Sequence, residues 1–131
     1  MDNLSKHILV AEDNPVMAQL LAFSLERVGF AVTCAYDGAT AAEAARQESF
    51  DLVITDYQMP KMSGEELCEA IRTDSINREV PIVLCSAKGL EIDSTRMNEV
   101  HRLAKVFHKP FSPGEVVTFA CSLLEFAPAR G

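Results

Sequence analysis

The sequence has no stretch of about 18 apolar residues, the minimum for a helix that crosses a membrane. Its first segment, residues 1–7, lacks the basic start and the apolar region of a secretion signal. These two absences argue against a membrane protein and against secretion. The sequence therefore predicts a cytoplasmic protein.

Paired metal-binding cysteines are also lacking. No Cys-x-x-Cys pair is formed by the four cysteines, which are Cys34, Cys68, Cys85 and Cys121. Neither a zinc site nor a redox pair is indicated, and we expect reduced side chains that fill the interior. The histidines at 7, 101 and 108 share no ligand spacing, so we assign them no metal role.

Positive charge is scarce. The 12 Lys and Arg residues are outnumbered by 19 Asp and Glu residues, which gives a net charge of −7. Tight non-specific binding to nucleic acid requires a basic surplus that displaces counterions from phosphates. We therefore expect a protein partner and no nucleic acid, with most of the acidity serving solubility.

The length suits one domain with a single core and is too short for two, since the chain has 131 residues. A hydrophobic fraction of 48% and a charged fraction of 24% are ordinary for a folded protein. We expect a single domain over residues 1–131, with a core at about 6–126 and a frayed tail at 127–131. No attached catalytic or DNA-binding domain is expected.

Five short apolar runs alternate with five segments of helical character. The predicted strands lie at 8–11, at 31–35, up to Asp56, at 80–85 and at 104–108. The predicted helices follow Asn14, span 39–47, follow Ser63, lie between Gly89 and Leu103, and run from Ser112 to about Phe126. This alternation predicts an α/β fold with a five-stranded parallel sheet covered by helices on both faces.

Three of the helices have recognisable starts. Asn14 is suited to cap the first helix, with Pro15 in its first turn, and Ser63 and Ser112 each have a glutamate at the capping-box spacing. Helical spacing in the first helix is shown by Met17, Leu20, Leu21, Leu25 and Val28. Core or loop packing is the expected role of the methionines Met17, Met59, Met62 and Met97.

Polar residues stand where four of the predicted strands end. Glu12 and Asp13 follow the first strand, Asp56 ends the third, Ser86 follows the fourth and Lys109 follows the fifth. Ligands and chemistry collect at the carboxyl ends of strands in an open parallel sheet. We therefore expect these five side chains to lie at one edge of the sheet.

This arrangement resembles the receiver domain of the two-component response regulators. The matching motifs are Glu12-Asp13, Asp56 in Asp-x-x-Met-Pro with Gly64 beyond it, Ser86-Ala87 and Lys109-Pro110-Phe111. The resemblance extends from about residue 6 to residue 126. It implies a doubly wound, flavodoxin-like (CheY-like) sheet of strand order 2-1-3-4-5, and a single-domain response regulator.

The acids suit a hard cation. Three carboxylates that converge on one point repel each other, and Mg²⁺ prefers such oxygen ligands. We expect Asp13 and Asp56 to bind Mg²⁺ directly and Glu12 to act through a water molecule. The resemblance implies that the backbone carbonyl of Gln58 is a third protein ligand.

An aspartate carboxylate can act as a nucleophile toward phosphorus, and Asp56 is the expected phospho-acceptor. Lys109 would stabilise charge on the phosphoryl oxygens, and Ser86 would hydrogen-bond one of them. The resemblance implies a phosphohistidine donor on a sensor histidine kinase or a phosphotransfer protein, a downstream target protein, and a monomer or weak dimer. The chain would assist its own phosphorylation without being an enzyme in the ordinary sense.

The sequence departs from the family pattern near the fifth strand. Many receivers carry Tyr or Phe three residues before the lysine, where this chain has Val106. Because side chains alternate along a strand, Phe107 is expected to face the other way. The glycine that is common before this strand is absent, and Gln58 and Lys88 flank the phosphorylation site.

The same residues bear on three other functions. A degenerate receiver could bind a partner without phosphorylation. A phosphatase with an aspartyl-phosphate intermediate is disfavoured because Gln58 stands where such enzymes carry a second acid. Dinucleotide binding is disfavoured because residues 11–15 lack the required glycines. A terminal regulator, a phosphorelay carrier and a domain of a longer protein all remain open.

Overall fold

The computed structural model describes residues 6–87 and 94–125. The strands are β1 (His7–Ala11), β2 (Ala31–Ala35), β3 (Leu52–Asp56), β4 (Ile82–Ser86) and β5 (Lys105–His108). The helices are α1 (Pro15–Arg27), α2 (Gly38–Gln47), α3 (Gly64–Thr73), α4 (Ser94–His101) and α5 (Pro113–Leu123). All strand pairs are parallel, and the sheet order is β2-β1-β3-β4-β5. The predicted fold class and strand order are confirmed.

Helices cover both faces of the sheet. Alternate strand residues therefore pack in two different hydrophobic clusters, one on each face. On one face, Leu9 and Val53 pack with residues of α2 and α3, including Leu67. On the other face, Ile8 and Ile54 pack with residues of α1 and α5. The inner strands β1, β3 and β4 are therefore buried at every position except His7, as a parallel sheet between two helix layers requires.

The predicted helix starts are present. The Asn14 side chain accepts hydrogen bonds from the backbone N–H groups of Val16 and Met17, with Pro15 as the first helical residue. Ser63 and Ser112 both form complete capping boxes. These caps end the loops that follow β1, β3 and β5, so they help to fix the edge of the sheet where the candidate site lies.

Helix α1 buries Leu21 and Leu25 of the predicted stripe, but Met17 and Leu20 of that stripe are exposed. Its buried residues are Ala18, Leu21, Ala22 and Leu25, whereas Met17 and Leu20 are 38% and 46% exposed. The two small alanines let the helix lie close to the sheet, and this turns the flanking large side chains toward solvent. The prediction that Met17 is a core or loop residue is therefore wrong.

Helix α4 ends at His101, two residues before the predicted end. Arg102 has a φ of 57°, in the left-handed region, which stops the helix. The Arg72 guanidinium donates to the carbonyls of His101 at 2.8 Å and Arg102 at 3.2 Å, so it satisfies groups that the helix leaves unpaired. The predicted start of this helix and Lys88 lie outside the described residues.

Strand β4 starts at Ile82, later than expected, because Pro81 has no N–H to donate to a sheet ladder. The expectation that Phe107 of β5 faces the opposite side of the sheet from Val106 is confirmed. Phe107 packs on the α1 and α5 side, with its ring centroid 5.5 Å from Phe111 and 6.0 Å from Phe119. Val106 pairs with Leu84 in an unshifted register.

The cysteines are free thiols, as expected. Cys68 and Cys85 are buried, and burial raises the pKa of each thiol to about 12. Both thiols are therefore protonated and unreactive at neutral pH. Within residues 6–87 and 94–125, no helix is long and apolar enough to cross a membrane.

Candidate functional site

Three carboxylates converge at the carboxyl edge of the sheet. Asp56 is the last residue of β3, and Glu12 and Asp13 follow β1, which lies beside β3. One oxygen from each lies within 4.8 Å of the others. Asp56 and Glu12 are only 6% and 9% exposed, whereas Asp13 faces solvent. The structure thus brings together the three acids that the sequence selected.

Lys109 completes this cluster from β5. Its Nζ lies 2.8 Å from Oδ1 of Asp56 and 3.3 Å from Oε1 of Glu12. Burial alone disfavours the ammonium ion, but the hydrogen bond with Asp56 and the charges of Asp56 and Glu12 outweigh burial and raise the pKa of Lys109. Lys109 is therefore a fixed cation beside the Asp56 carboxylate.

Ser86 lies at the same edge because Asp56 pairs with the preceding residue, Cys85. Ser86 is 1% exposed, its hydroxyl donates to the Ala87 carbonyl at 3.3 Å, and its own carbonyl accepts from the Lys109 N–H at 2.7 Å. Because a hydroxyl can rotate about its C–O bond, the buried Ser86 hydroxyl can turn from the Ala87 carbonyl toward another acceptor.

The loop after β3 is held close to the cluster. Tyr57 donates its N–H to the Cys85 carbonyl at 2.8 Å, and Gly64 donates its N–H to the Tyr57 carbonyl at 2.7 Å. A Cβ on Gly64 would overlap the Asp56 carbonyl oxygen, so only glycine permits this approach. Gln58 is exposed within the same loop.

The donor set fits a hard divalent cation. Three carboxylate oxygens with part of the cluster open to solvent match the preference of Mg²⁺ for one or two carboxylates and several waters. Soft metals are disfavoured because no thiol or imidazole joins the cluster among the described residues. The same arrangement offers a buried carboxylate nucleophile beside a fixed ammonium ion, which suits transfer of an anionic group.

The charged form of Glu12 costs folding free energy. Burial raises its pKa above the ordinary 4.5, and Asp56 raises it further, although the Asn14 N–H and Lys109 act in the opposite direction. When a carboxyl has a higher pKa in the folded chain than in the unfolded chain, the folded chain becomes less stable as the pH rises from the unfolded pKa through the folded pKa. Below 4.5 both the folded and the unfolded chain are protonated, so the cost is absent.

We therefore expect Glu12→Gln to raise the free energy of unfolding at pH 7 by about 1 kcal/mol in metal-free buffer. The amide oxygen can still accept the Asn14 N–H, which lies 3.1 Å from Glu12. Thermal unfolding of both proteins at pH 7 and at pH 4 measures the effect. The gain should disappear at pH 4, and an equal gain at both pH values would contradict the explanation.

Glu43→Gln is the matched control. The exposed Glu43 carboxylate accepts from Arg46 at 2.9 Å and from Gln47 at 2.6 Å, and these hydrogen bonds lower its pKa. A carboxyl whose pKa is lower in the folded chain than in the unfolded chain contributes stability at pH values above its unfolded pKa. Removing this charge should therefore change stability at pH 7 in the opposite direction.

An apolar pocket that sequence reasoning missed opens beside the cluster. Its volume is about 410 Å³, and the described residues that line it are Met17, Ala87, Lys109, Pro110 and Phe111. The sequence pattern at residues 109–111 matched a family motif, but it did not predict that these residues would line a pocket. The exposure of Met17 had no signal in the sequence, since it depends on how α1 is rotated against the sheet.

Comparison with known proteins identifies the family of this chain. The family model for the response regulator receiver domain matches residues 8–120. Hybrid signal transduction histidine kinase D of Dictyostelium discoideum is 36% identical over 123 residues, which cover 94% of this chain and 8% of that protein. The alkaline phosphatase synthesis transcriptional regulatory protein PhoP of Bacillus subtilis is 36% identical over 113 residues, covering 86% and 46%. The chain thus spans less than half the length of either relative.

Solved structures share the fold. The receiver domain of the Francisella response regulator 1452 superposes with a TM-score of 0.83 at 25% identity, over 92% of this chain and 98% of that one. The receiver domain of the Pseudomonas aeruginosa sensor histidine kinase PA1611 gives a TM-score of 0.81 at 26% identity, over 93% and 99%. That structure holds a magnesium ion in its active-site cleft.

Proposed function

Because the chain belongs to the response regulator receiver domain family, we propose that Asp56 is its phospho-acceptor and that a phosphohistidine donates the phosphoryl group. The donor would be a sensor histidine kinase or a phosphotransfer protein. The observation that carries this proposal is the Asp56 carboxylate, 6% exposed and 2.8 Å from the Lys109 ammonium within a cluster of acids. The family acts as signalling phospho-acceptors and not as classical enzymes.

The residues divide the transfer step between them. An oxygen of Asp56 attacks phosphorus as the bond from phosphorus to the donor nitrogen breaks, and the electron pair leaves with the imidazole. Lys109, already beside Asp56, pairs with the incoming phosphoryl oxygens. Asp13, Asp56 and the Gln58 carbonyl would hold Mg²⁺, with Glu12 acting through water. When bound, this ion supplies charge neutralisation around the phosphoryl group.

The signal would leave the site through β4. The Ser86 hydroxyl donates to Ala87 in the present state and would turn to a phosphoryl oxygen after transfer. That exchange changes the start of the segment between β4 and α4, and so the surface offered to a target protein. Val106 supplies no aromatic ring for this change, so the movement of Ser86 would carry it alone.

The proposal also covers organisation and location. Residues 1–131 would act as one receiver domain with a core at about 6–126, as a monomer or weak dimer. We place it in the cytoplasm, where ATP-dependent kinases form phosphohistidine. An unphosphorylated binding module is the alternative, and the experiment below separates the two.

The test is the intact mass of the protein after incubation with acetyl phosphate and Mg²⁺. We expect a gain of about 80 Da, one phosphoryl group, that requires Mg²⁺ and is absent in Asp56→Asn. Asp74→Asn, which changes an exposed acid just beyond the last residue of α3, should be modified like the wild type. No gain with either acetyl phosphate or a phosphorylated kinase would favour the binding module.

A further inference from the structure

The pocket defined above by Met17, Ala87, Lys109, Pro110 and Phe111 meets the acid cluster at Lys109. Lys109 is shared, because its Nζ contacts Asp56 while its side chain forms one wall of the pocket. The other walls come from the first turn of α1 and from the segments directly after β4 and β5. The pocket therefore lies at the mouth of the site, next to the attacking carboxylate.

In-line phosphoryl transfer fixes where the leaving group must be. The attacking oxygen and the leaving atom lie on opposite sides of phosphorus. Asp56 attacks from the end of a buried strand, so the leaving group lies outward, toward the mouth. The side chains that line the mouth are then the ones that contact the part of the donor that departs.

We propose that this pocket binds the leaving group of the phosphodonor and favours one that is flat and apolar. The inference rests on the proposed function and deepens it. Transfer forms a bond between an Asp56 oxygen and phosphorus and breaks the bond between phosphorus and the leaving atom, which keeps the electron pair. With an acyl phosphate the leaving group is a carboxylate, so no proton needs to be supplied.

The lining explains the preference. Among the described lining residues, Met17, Ala87, Pro110 and Phe111 are apolar and only Lys109 is charged. Phe111 packs against the Phe107 ring at 5.5 Å, which fixes one wall. A volume of about 410 Å³ is ample for one planar ring. Binding a part of the donor that does not react lowers the barrier when its contacts are kept in the transition state.

Acetyl phosphate and benzoyl phosphate test the proposal, because they are both acyl phosphates and differ in a methyl group against a phenyl ring. The readout is the ratio of their rate constants for labelling Asp56 in Mg²⁺, followed by intact mass. We expect the wild type to favour benzoyl phosphate about tenfold. Met17→Ala, which keeps a strong helix former in α1, should lower that ratio at least about threefold.

Leu20→Ala is the matched control, since Leu20 is 46% exposed on the same helix and does not line the pocket. Its ratio should equal that of the wild type, and Met17→Leu should keep most of the preference. Comparing ratios between variants cancels the intrinsic reactivity of the two donors. Labelling by both donors at equal rates, or an unchanged ratio in Met17→Ala, overturns the pocket proposal alone. Failure of both acyl phosphates and of a phosphorylated kinase to label Asp56 overturns the proposed function as well.

Discussion

Replacing Lys109 with methionine should slow the phosphorylation of Asp56 by acetyl phosphate about 100-fold. The Lys109 ammonium lies 2.8 Å from one Asp56 oxygen and 3.0 Å from the other, so it is positioned where charge gathers during transfer. Methionine keeps much of the length and the apolar stem but has no charge. The rate of mass gain at fixed Mg²⁺ and donor concentrations measures the effect.

The same substitution should also reduce stability by about 1–2 kcal/mol. Two buried carboxylates, Asp56 and Glu12, lose their cation, and the figure is modest because the Lys109 side chain is 32% exposed. The double variant Glu12→Gln with Lys109→Met separates the two effects. It should recover stability while transfer stays slow. A Lys109→Met rate within threefold of the wild type would remove Lys109 from the mechanism.

Gly64→Ala should destabilise the chain by about 3 kcal/mol, which corresponds to a fall of about 10 °C in Tm. A Cβ there would overlap the carbonyl oxygen of Asp56 and lie 2.8 Å from Cα of Tyr57. Both neighbours are backbone atoms of the segment that carries Asp56, so neither can turn aside as a side chain would. Phosphorylation should slow as well, since relief of the clash displaces Asp56.

Gly114→Ala provides the comparison for that prediction. Gly114 lies in the first turn of α5, and the nearest atom to its Cβ would be the Ser112 hydroxyl oxygen at 3.8 Å. This is ordinary contact, and alanine is the better helix former, so Tm should hold or rise slightly. If both variants melted together, the close approach at Gly64 would not be the cause.

The family relation limits how far the whole-protein functions of the relatives apply. The match covers 8% of the Dictyostelium histidine kinase and 46% of the Bacillus PhoP protein. Each relative therefore shares one module with this chain. What those proteins do with their other parts is not carried over. The phosphoryl transfer proposed at Asp56 lies within the matched residues 8–120, and for that reason it is the first property to test.

The alternation of strands and helices follows from the sequence pattern, and the strand order follows from the family resemblance. Apolar runs that end in polar residues marked the strands, and Asn14, Ser63 and Ser112 marked helix starts that the structure has. These features are local, because a strand end or a cap depends on a few neighbouring residues. The expectation that the five polar residues at the strand ends lie together followed from the rule that ligands collect at the carboxyl ends of parallel strands.

The distances between the site residues and the exposed fractions of the side chains depend on tertiary packing. Lys109 meets Glu12 across 97 residues of chain and Asp56 across 53, and these contacts depend on the register of β1, β3, β4 and β5 together. The rotation of α1 was decided by the close packing of Ala18 and Ala22, which exposed Met17 and opened the pocket beside Lys109. The carbonyls left unpaired at the end of α4 accept hydrogen bonds from Arg72, a residue of α3. Each is a contact between elements distant in sequence, and a local pattern carries no record of it.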